Sequence, residues 1–382
     1  MVNIERLKVA VIHDWLVNYG GAERVLEQIL GIFPQAELFC LVDFLCEQDR
    51  SFIFHKQSHP SLIQVLPFAR RYFRYYLPLM PLAIEQLDLR EFDVVISSSH
   101  AVAKGVITSP EQLHIAYVHS PMRYIWDLQE DYLDRSLRSS LGRLLFHYLR
   151  SWDVYSSFRV DHFIANSHFI RRRISKIYRR NAKVIYPPVN GANFPLKQAP
   201  AEDFYLTVSR LVPYKRVDLI VEAFAQMPQR RLVIIGDGPE RSHILKKLTP
   251  NITYLGYQTQ AQVREYMQRS RGFVFAAIED FGISPLEALS CGTPVIALGK
   301  GGLQETITSD TGILFPAQTV ASLQTAIDQF EQRQFDPQVC HDYVQRFYPD
   351  RFRQQLKQTI EQYYLKHSLN KLPDITEEDE DL

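Results

Sequence analysis

Apolar residues along this chain fall into two alternating patterns. Short, nearly unbroken runs of β-branched and aromatic residues are separated by longer runs in which apolar positions recur every three or four residues. LKVAVIH (Leu7–His13) has the first pattern and predicts a strand. The Gly21–Phe33 run that follows places Val25, Leu26, Ile29, Leu30 and Phe33 on one helical face. FDVVISSS (Phe92–Ser99), LHIAYVHS (Leu113–Ser120), VDHFIANS (Val160–Ser167) and AKVIYPPV (Ala182–Val189) predict further strands. A second series then begins with FYLTVSR (Phe204–Arg210), RLVIIGD (Arg231–Asp237), ITYLGY (Ile252–Tyr257), GFVFAA (Gly272–Ala277) and TPVIAL (Thr293–Leu298).

Strands apolar along their whole length, alternating with helices, imply parallel sheets covered on both faces. The restart after the proline-marked NFPLKQAPAEDF segment implies two such units. The expected fold class is therefore α/β, with two doubly wound, Rossmann-like domains. We place the first at 1–190 and the second at 191–349. A helix over 350–367 is free to pack back on the first domain, and 368–382 reads as a disordered acidic tail.

Composition and local sequence change this picture in four places. Bases and acids balance at 43 each, but the six acids from Asp374 to Asp381 are accompanied by no base, so residues 1–373 carry a net +6. The four cysteines (Cys40, Cys46, Cys291, Cys340) contain no Cys-x-x-Cys pair, which argues against a zinc site or disulfide framework and fits a reducing cytoplasm. The N-terminal residues MVNIERLKVAVIHDWL carry charges where a signal peptide needs an apolar core. The longest apolar stretch, Tyr75–Ile84, has ten residues and two prolines, too short to span a bilayer.

In doubly wound sheets, ligands bind beyond the carboxyl ends of the strands. Five loops there carry candidate chemistry. In IEDFGISPLEALSCG, Ser284 and Pro285 predict a helix start at which the amides of Phe281, Gly282, Ile283 and Ser284 would face an anion. Glu279 stands at the lip of that site, where a carboxylate suits sugar hydroxyls better than phosphate. Glu287 fits a ligand role, but Ser284-x-x-Glu287 also spells a capping box. In SRLVPYKR, Arg210 and Lys215 bracket a proline turn and could clamp a diphosphate. Gly236, in IIGDGP, permits close approach to backbone. NYGGAER supplies Gly20 and Gly21 before the first helix, without a Gly-x-Gly-x-x-Gly fingerprint or a P-loop lysine. His119 ends another strand. Each has an ordinary alternative: a solvated acid, surface bases, a tight turn, a structural histidine.

Together these residues resemble glycosyltransferase family 4, the retaining nucleotide-sugar transferases with a GT-B fold. The most specific part is Glu279–Glu287 with the trailing Glu-Ala-x-x-x-Gly-x-Pro-Val. The NYGGAER start is most similar to bacterial mannosyltransferases of O-antigen and exopolysaccharide synthesis. The resemblance implies two domains facing a cleft. It implies that Glu279 contacts the donor sugar, Glu287 the ribose, and Arg210 and Lys215 the diphosphate, helped by amides near Gly282. It implies that His119 faces the donor sugar, that Gly20 and Gly21 approach donor and acceptor, and that backbone near Gly256 and Tyr257 meets the base. The implied reaction transfers a hexose, mannose from GDP-mannose being the leading choice, to a glycan or lipid-linked acceptor with retained configuration. No cofactor beyond this co-substrate and no metal are expected, since no Asp-x-Asp occurs ahead of the acidic tail.

PFARRYFRYYLPLMPL (Pro67–Leu82) and HFIRRRISKIYRR (His168–Arg180) are basic and partly aromatic. Either is a solvated face or a surface for anionic lipid, which would suit a cytoplasmic enzyme peripheral to the inner face of a membrane. Nucleic acid is a poorer match, because no recognition motif accompanies the bases. Two other functions compete: a GT-B enzyme using a UDP-sugar, and a non-catalytic nucleotide-sugar-binding subunit. Donor hydrolysis separates the last from the others.

Overall fold

The computed structural model describes residues 6–126 and 140–369. It divides into two compact units. The first takes in the described residues of 1–166, 170–185 and 352–369; the second takes in Ser167–Phe169 and Tyr186–Arg351.

The first unit is built on seven strands: β1 (Val9–His13), β2 (Glu37–Cys40), β3 (Ser58–Pro60), β4 (Val94–Ser99), β5 (Leu113–Val118), β6 (His162–Ala165) and β7 (Ala182–Val184). All are parallel, in the order β3-β2-β1-β4-β5-β6-β7. The second unit carries β8 (Tyr205–Val208), β9 (Leu232–Ile235), β10 (Ile252–Gly256), β11 (Gly272–Phe275), β12 (Val295–Leu298) and β13 (Gly312–Phe315). They too are parallel, in the order β10-β9-β8-β11-β12-β13. Both sheets therefore follow one plan. The chain builds outward from a central strand, returns to its other side and builds outward again. The reversal lies between β1 and β4 in one sheet and between β8 and β11 in the other.

Burial explains the near-continuous apolar strands. β1, β4 and β5 are buried at every residue. Alternate β1 residues feed two separate cores, Val9 and Val11 on one face, Ala10 and Ile12 on the other. The second sheet is covered in the same way: Leu206 and Phe273 pack on one face, Tyr205 and Val274 on the other.

Three strands escaped the sequence reading. β2 and β13 have four residues each, and β3 is a three-residue, partly exposed edge strand reading Ser-His-Pro. The predicted long helix runs Pro349–Leu369. Its Phe352, Leu356 and Ile360 lie in the first unit's core beside Val9 and Tyr117, and Tyr363 stacks on His162 at 3.8 Å. Ser368 and Leu369, expected in the disordered tail, are helical, whereas the tail from 370 on lies outside the described residues. Leu356→Ala should destabilise the first unit by about 2–5 kcal/mol. Chemical denaturation followed by a probe in that unit tests this; an unchanged midpoint would show that the helix adds nothing to its core.

Candidate functional site

Because every strand in each sheet points the same way, the loops carrying the predicted residues all leave from one edge. In the second unit those loops are bonded to one another. Ser209 N donates to Ile235 O at 3.0 Å, Leu211 N to Asp237 O at 3.0 Å, and Gly236 N to Gly256 O at 2.8 Å. Gly302 N donates to Glu279 O at 2.7 Å. Gly236 has φ +138°, and a Cβ there would lie 1.8 Å from the Ser209 carbonyl oxygen, so only glycine lets these two loops touch.

The reversal between β8 and β11 carries the charged pair. The Lys215 ammonium, on the loop after β8, forms an ion pair with the Glu279 carboxylate, on the loop after β11. Both side chains are mostly buried, and the ammonium lies 5.4 Å from the Phe275 ring centre. Arg210 shares the Lys215 loop. It is exposed, and its guanidinium makes no hydrogen bond or ion pair among the described residues. Here, then, are one free fork donor, one partly sheltered ammonium and one carboxylate facing it. A diphosphate can take the cations, and hydroxyls can take the acid.

The helix after Glu279 starts differently from the prediction. It runs Ile283–Ser290 and is capped by Gly282 at φ +90°, with no side-chain cap bond. Ser284 is therefore inside the first turn, and the Ser284-x-x-Glu287 capping box is not formed. Tertiary packing explains the shift. Phe281 is buried, stacked near Tyr186 and set edge-on to Phe347, which pulls the chain into the core one residue before the cap. The Phe281 side chain is thus structural, and only backbone at 281–283 remains for a ligand; half-buried Ile283 also packs on that core. Glu287 lies buried on the same helix. Gly256, at φ +71°, ends β10 at the sheet margin, and Tyr257 beyond it is 79% exposed.

The first unit's reversal holds a different set. Asp14, just past β1, is fully buried. Its two oxygens accept the amides of His100, Ala101, Val102 and Ala103 at 2.6–2.9 Å, which fixes the loop after β4. Gly20 and Gly21 lead into helix α1 (Gly21–Ile32), where Glu23 Oε2 accepts the Gly20 amide at 2.9 Å. The other oxygen, Oε1, lies 3.4 Å from His13 Nε2. His13 Nδ1 is 3.1 Å from Ser98 Oγ, and Ser98 Oγ is 2.8 Å from His119 Nε2. His119 is buried, its amide bonded to Ser99 O and its carbonyl to Asn166 Nδ2. Burial, reinforced by His100 and His13, holds its imidazole well below the usual value. Burial also lowers His100, against the pull of Asp14.

The sequence reading missed His13, Asp14, Glu23 and Ser98. A polar pair ending an apolar strand and a serine run ending another were the available signals. The basic His168–Arg180 segment turns out partly structural. Arg173 is buried and donates to Ser120 Oγ at 2.7 Å, and Arg180 donates to the carbonyls of Ser157, Val160 and Asp161.

Two family models match consecutive parts of the chain. Glycosyltransferase Family 4 covers residues 19–192 and Glycosyl transferases group 1 covers 193–347. The chain belongs to the family 4-type glycosyltransferases. Alpha-1,3/1,6-mannosyltransferase ALG2 of Candida glabrata is 23% identical, over 81% of this chain and 80% of the relative. A GDP-mannose-dependent monoacylated alpha-(1-6)-phosphatidylinositol monomannoside mannosyltransferase of Corynebacterium glutamicum is 35% identical, over 30% of this chain and 34% of its own length. Among solved structures, Anabaena Alr3699/HepE in complex with UDP aligns with a TM-score of 0.69 at 18% identity, covering 93% of this chain and all of that one. The two parallel sheets of this glycosyltransferase are accordingly those of the two-domain α/β GT-B fold.

Proposed function

We propose that this glycosyltransferase moves mannose from GDP-mannose to a hydroxyl of a glycan or lipid-linked saccharide, with retained configuration. The observation that carries the reading is the Lys215–Glu279 pair at the strand-order reversal, with the Arg210 guanidinium on the same loop unpaired among the described residues. Before donor binds, Lys215 and Glu279 neutralise each other. An arriving diphosphate brings negative charge to the ammonium and guanidinium, and Glu279 then accepts hydrogen bonds from sugar hydroxyls. As the sugar–phosphate bond breaks, the departing diphosphate gains charge. Two preplaced cations and the amides at Gly282 stabilise that charge without having to reorganise. Positioning supplies much of the remainder. On this reading Glu287 holds the ribose, backbone at Gly236, Gly256 and Tyr257 meets the nucleotide, and Gly20, Gly21 and His119 serve the sugar. No metal is needed. Mannose is supported by the names of two similar proteins, both mannosyltransferases.

A lipid-linked acceptor implies contact with a membrane surface. Among the described residues, no helix is long and apolar enough to cross one. The 67–82 segment offers a peripheral alternative. Phe68 and Tyr75 are 79% and 78% exposed, beside exposed Arg70, Arg71 and Arg74. Phe68 adopts a left-handed backbone at φ 54°, a costly conformation for an aromatic residue. Exposed rings and guanidinium groups on one segment suit anionic headgroups.

The deciding experiment is a thermal-shift screen in EDTA against GDP, UDP, ADP and their common sugars. Ligand bound only by the folded state raises the melting temperature by mass action. GDP and GDP-mannose should raise it. A shift confined to UDP species would change the donor, and no shift at all would remove the basis of the site. Glu279→Ala should lower kcat by about 10²–10³-fold with unchanged circular dichroism; wild-type turnover would overturn its role. Phe68→Ser combined with Tyr75→Ser should abolish co-sedimentation with phosphatidylglycerol vesicles, and equal binding by variant and wild type would refute the surface.

A further inference from the structure

The buried polar chain in the first unit contains a single hydroxyl between two imidazoles. Ser98 is fully buried on β4, in register with His13 on the neighbouring β1. Its Oγ meets His13 Nδ1 at 3.1 Å and His119 Nε2 at 2.8 Å. A serine carries one proton, so it can donate to one ring only and must accept from the other. What decides the direction lies at the far end of the chain. Glu23 Oε2 accepts the Gly20 amide at 2.9 Å and Oε1 lies 3.4 Å from His13 Nε2; burial opposes ionisation, but the bond to His13 prevails and holds the carboxyl below its usual value. The carboxylate accepts from Nε2–H of His13. In the neutral ring this leaves Nδ1 bare, and Nδ1 takes the Ser98 proton. Ser98 Oγ then has only lone pairs left for His119, which must meet it with Nε2–H. A neutral imidazole protonated at Nε2 is bare at Nδ1, and that nitrogen has no hydrogen bond among the described residues.

We propose that Ser98, aligned by His13 and Glu23, is a positioning residue that holds His119 as the Nε2–H tautomer and so presents Nδ1 as an acceptor for a sugar hydroxyl. The same carboxylate anchors the glycine loop through the Gly20 amide, so loop and imidazole share one support. The tautomer choice is a device for specificity: a bare Nδ1 rewards a ligand that donates and repels one that presents only oxygen lone pairs. The ligand half of this proposal rests on the donor-side reading of His119; the tautomer half does not.

The test is long-range ¹H–¹⁵N NMR on the full chain labelled with ¹⁵N-histidine, at pH 8 without ligand, with His119 assigned by comparison with His119→Gln. His119 should show a protonated Nε2 and a bare Nδ1. The reverse pattern, or an averaged mixture in the wild type, overturns the proposal whether or not any nucleotide sugar binds. In Ser98→Ala the two tautomers should mix and kcat/KM for the donor should fall about tenfold, while Ser98→Thr, which keeps the hydroxyl, should restore both. A Ser98→Ala variant with an unmixed Nε2–H tautomer would show that Ser98 does not set it. If the wild-type tautomer is as expected but no donor raises the melting temperature, the relay stands and the donor reading fails.

Discussion

Everything placed at the two candidate sites depends on strands that run parallel while buried on both faces. Such strands have no polar side to spare. β1, β4 and β5 are buried along their full length, so functional groups are pushed to where the strands end. Parallel pairing puts all those ends on one edge of each sheet. The order then parts the two middle strands' connections to opposite sides, which opens a gap at the reversal. In one unit that gap receives Lys215 and Glu279; in the other it receives Asp14, His13 and Ser98.

The two gaps are filled by opposite physical strategies. In the second unit, charge is kept reachable. Arg210 is exposed and Lys215 retains some contact with solvent, so a diphosphate can compete for them at modest desolvation cost. In the first unit, polar groups are almost fully buried and bonded to one another, with His119 Nδ1 left bare among the described residues. Asp14 spends its two oxygens on four amides, and Glu23, His13, Ser98 and His119 form a single chain. Sealed networks of this kind hold geometry more than they bind.

Rigid loops link the fold to this chemistry. The glycine at 236 lets the Ser209 carbonyl approach where a side chain would collide, and Gly282 lets the chain turn from buried Phe281 into a helix. The loop after β4 is held by the four amide bonds to Asp14. Preorganised donors and cations do not pay to reorient when charge develops, so placing them on fixed loops is itself a contribution to rate.

The sequence by itself determined the alternation of strands and helices, the restart that makes two units, and the loops that carry chemistry. Continuous apolar runs, glycines and charged strand ends are local properties, and they survive in any correct fold. Only the tertiary structure decided which of these loops meet. Lys215 and Glu279 are 64 residues apart, and His13 and Ser98 are 85 apart; they become neighbours through strand order, which no local pattern encodes. For the same reason a capping box spelled by Ser284 and Glu287 did not form: core packing of Phe281 set the helix start and outweighed a local hydrogen bond worth about 1 kcal/mol. β3, a Ser-His-Pro edge strand, carries no apolar run to read and is a strand only through its pairing with β2.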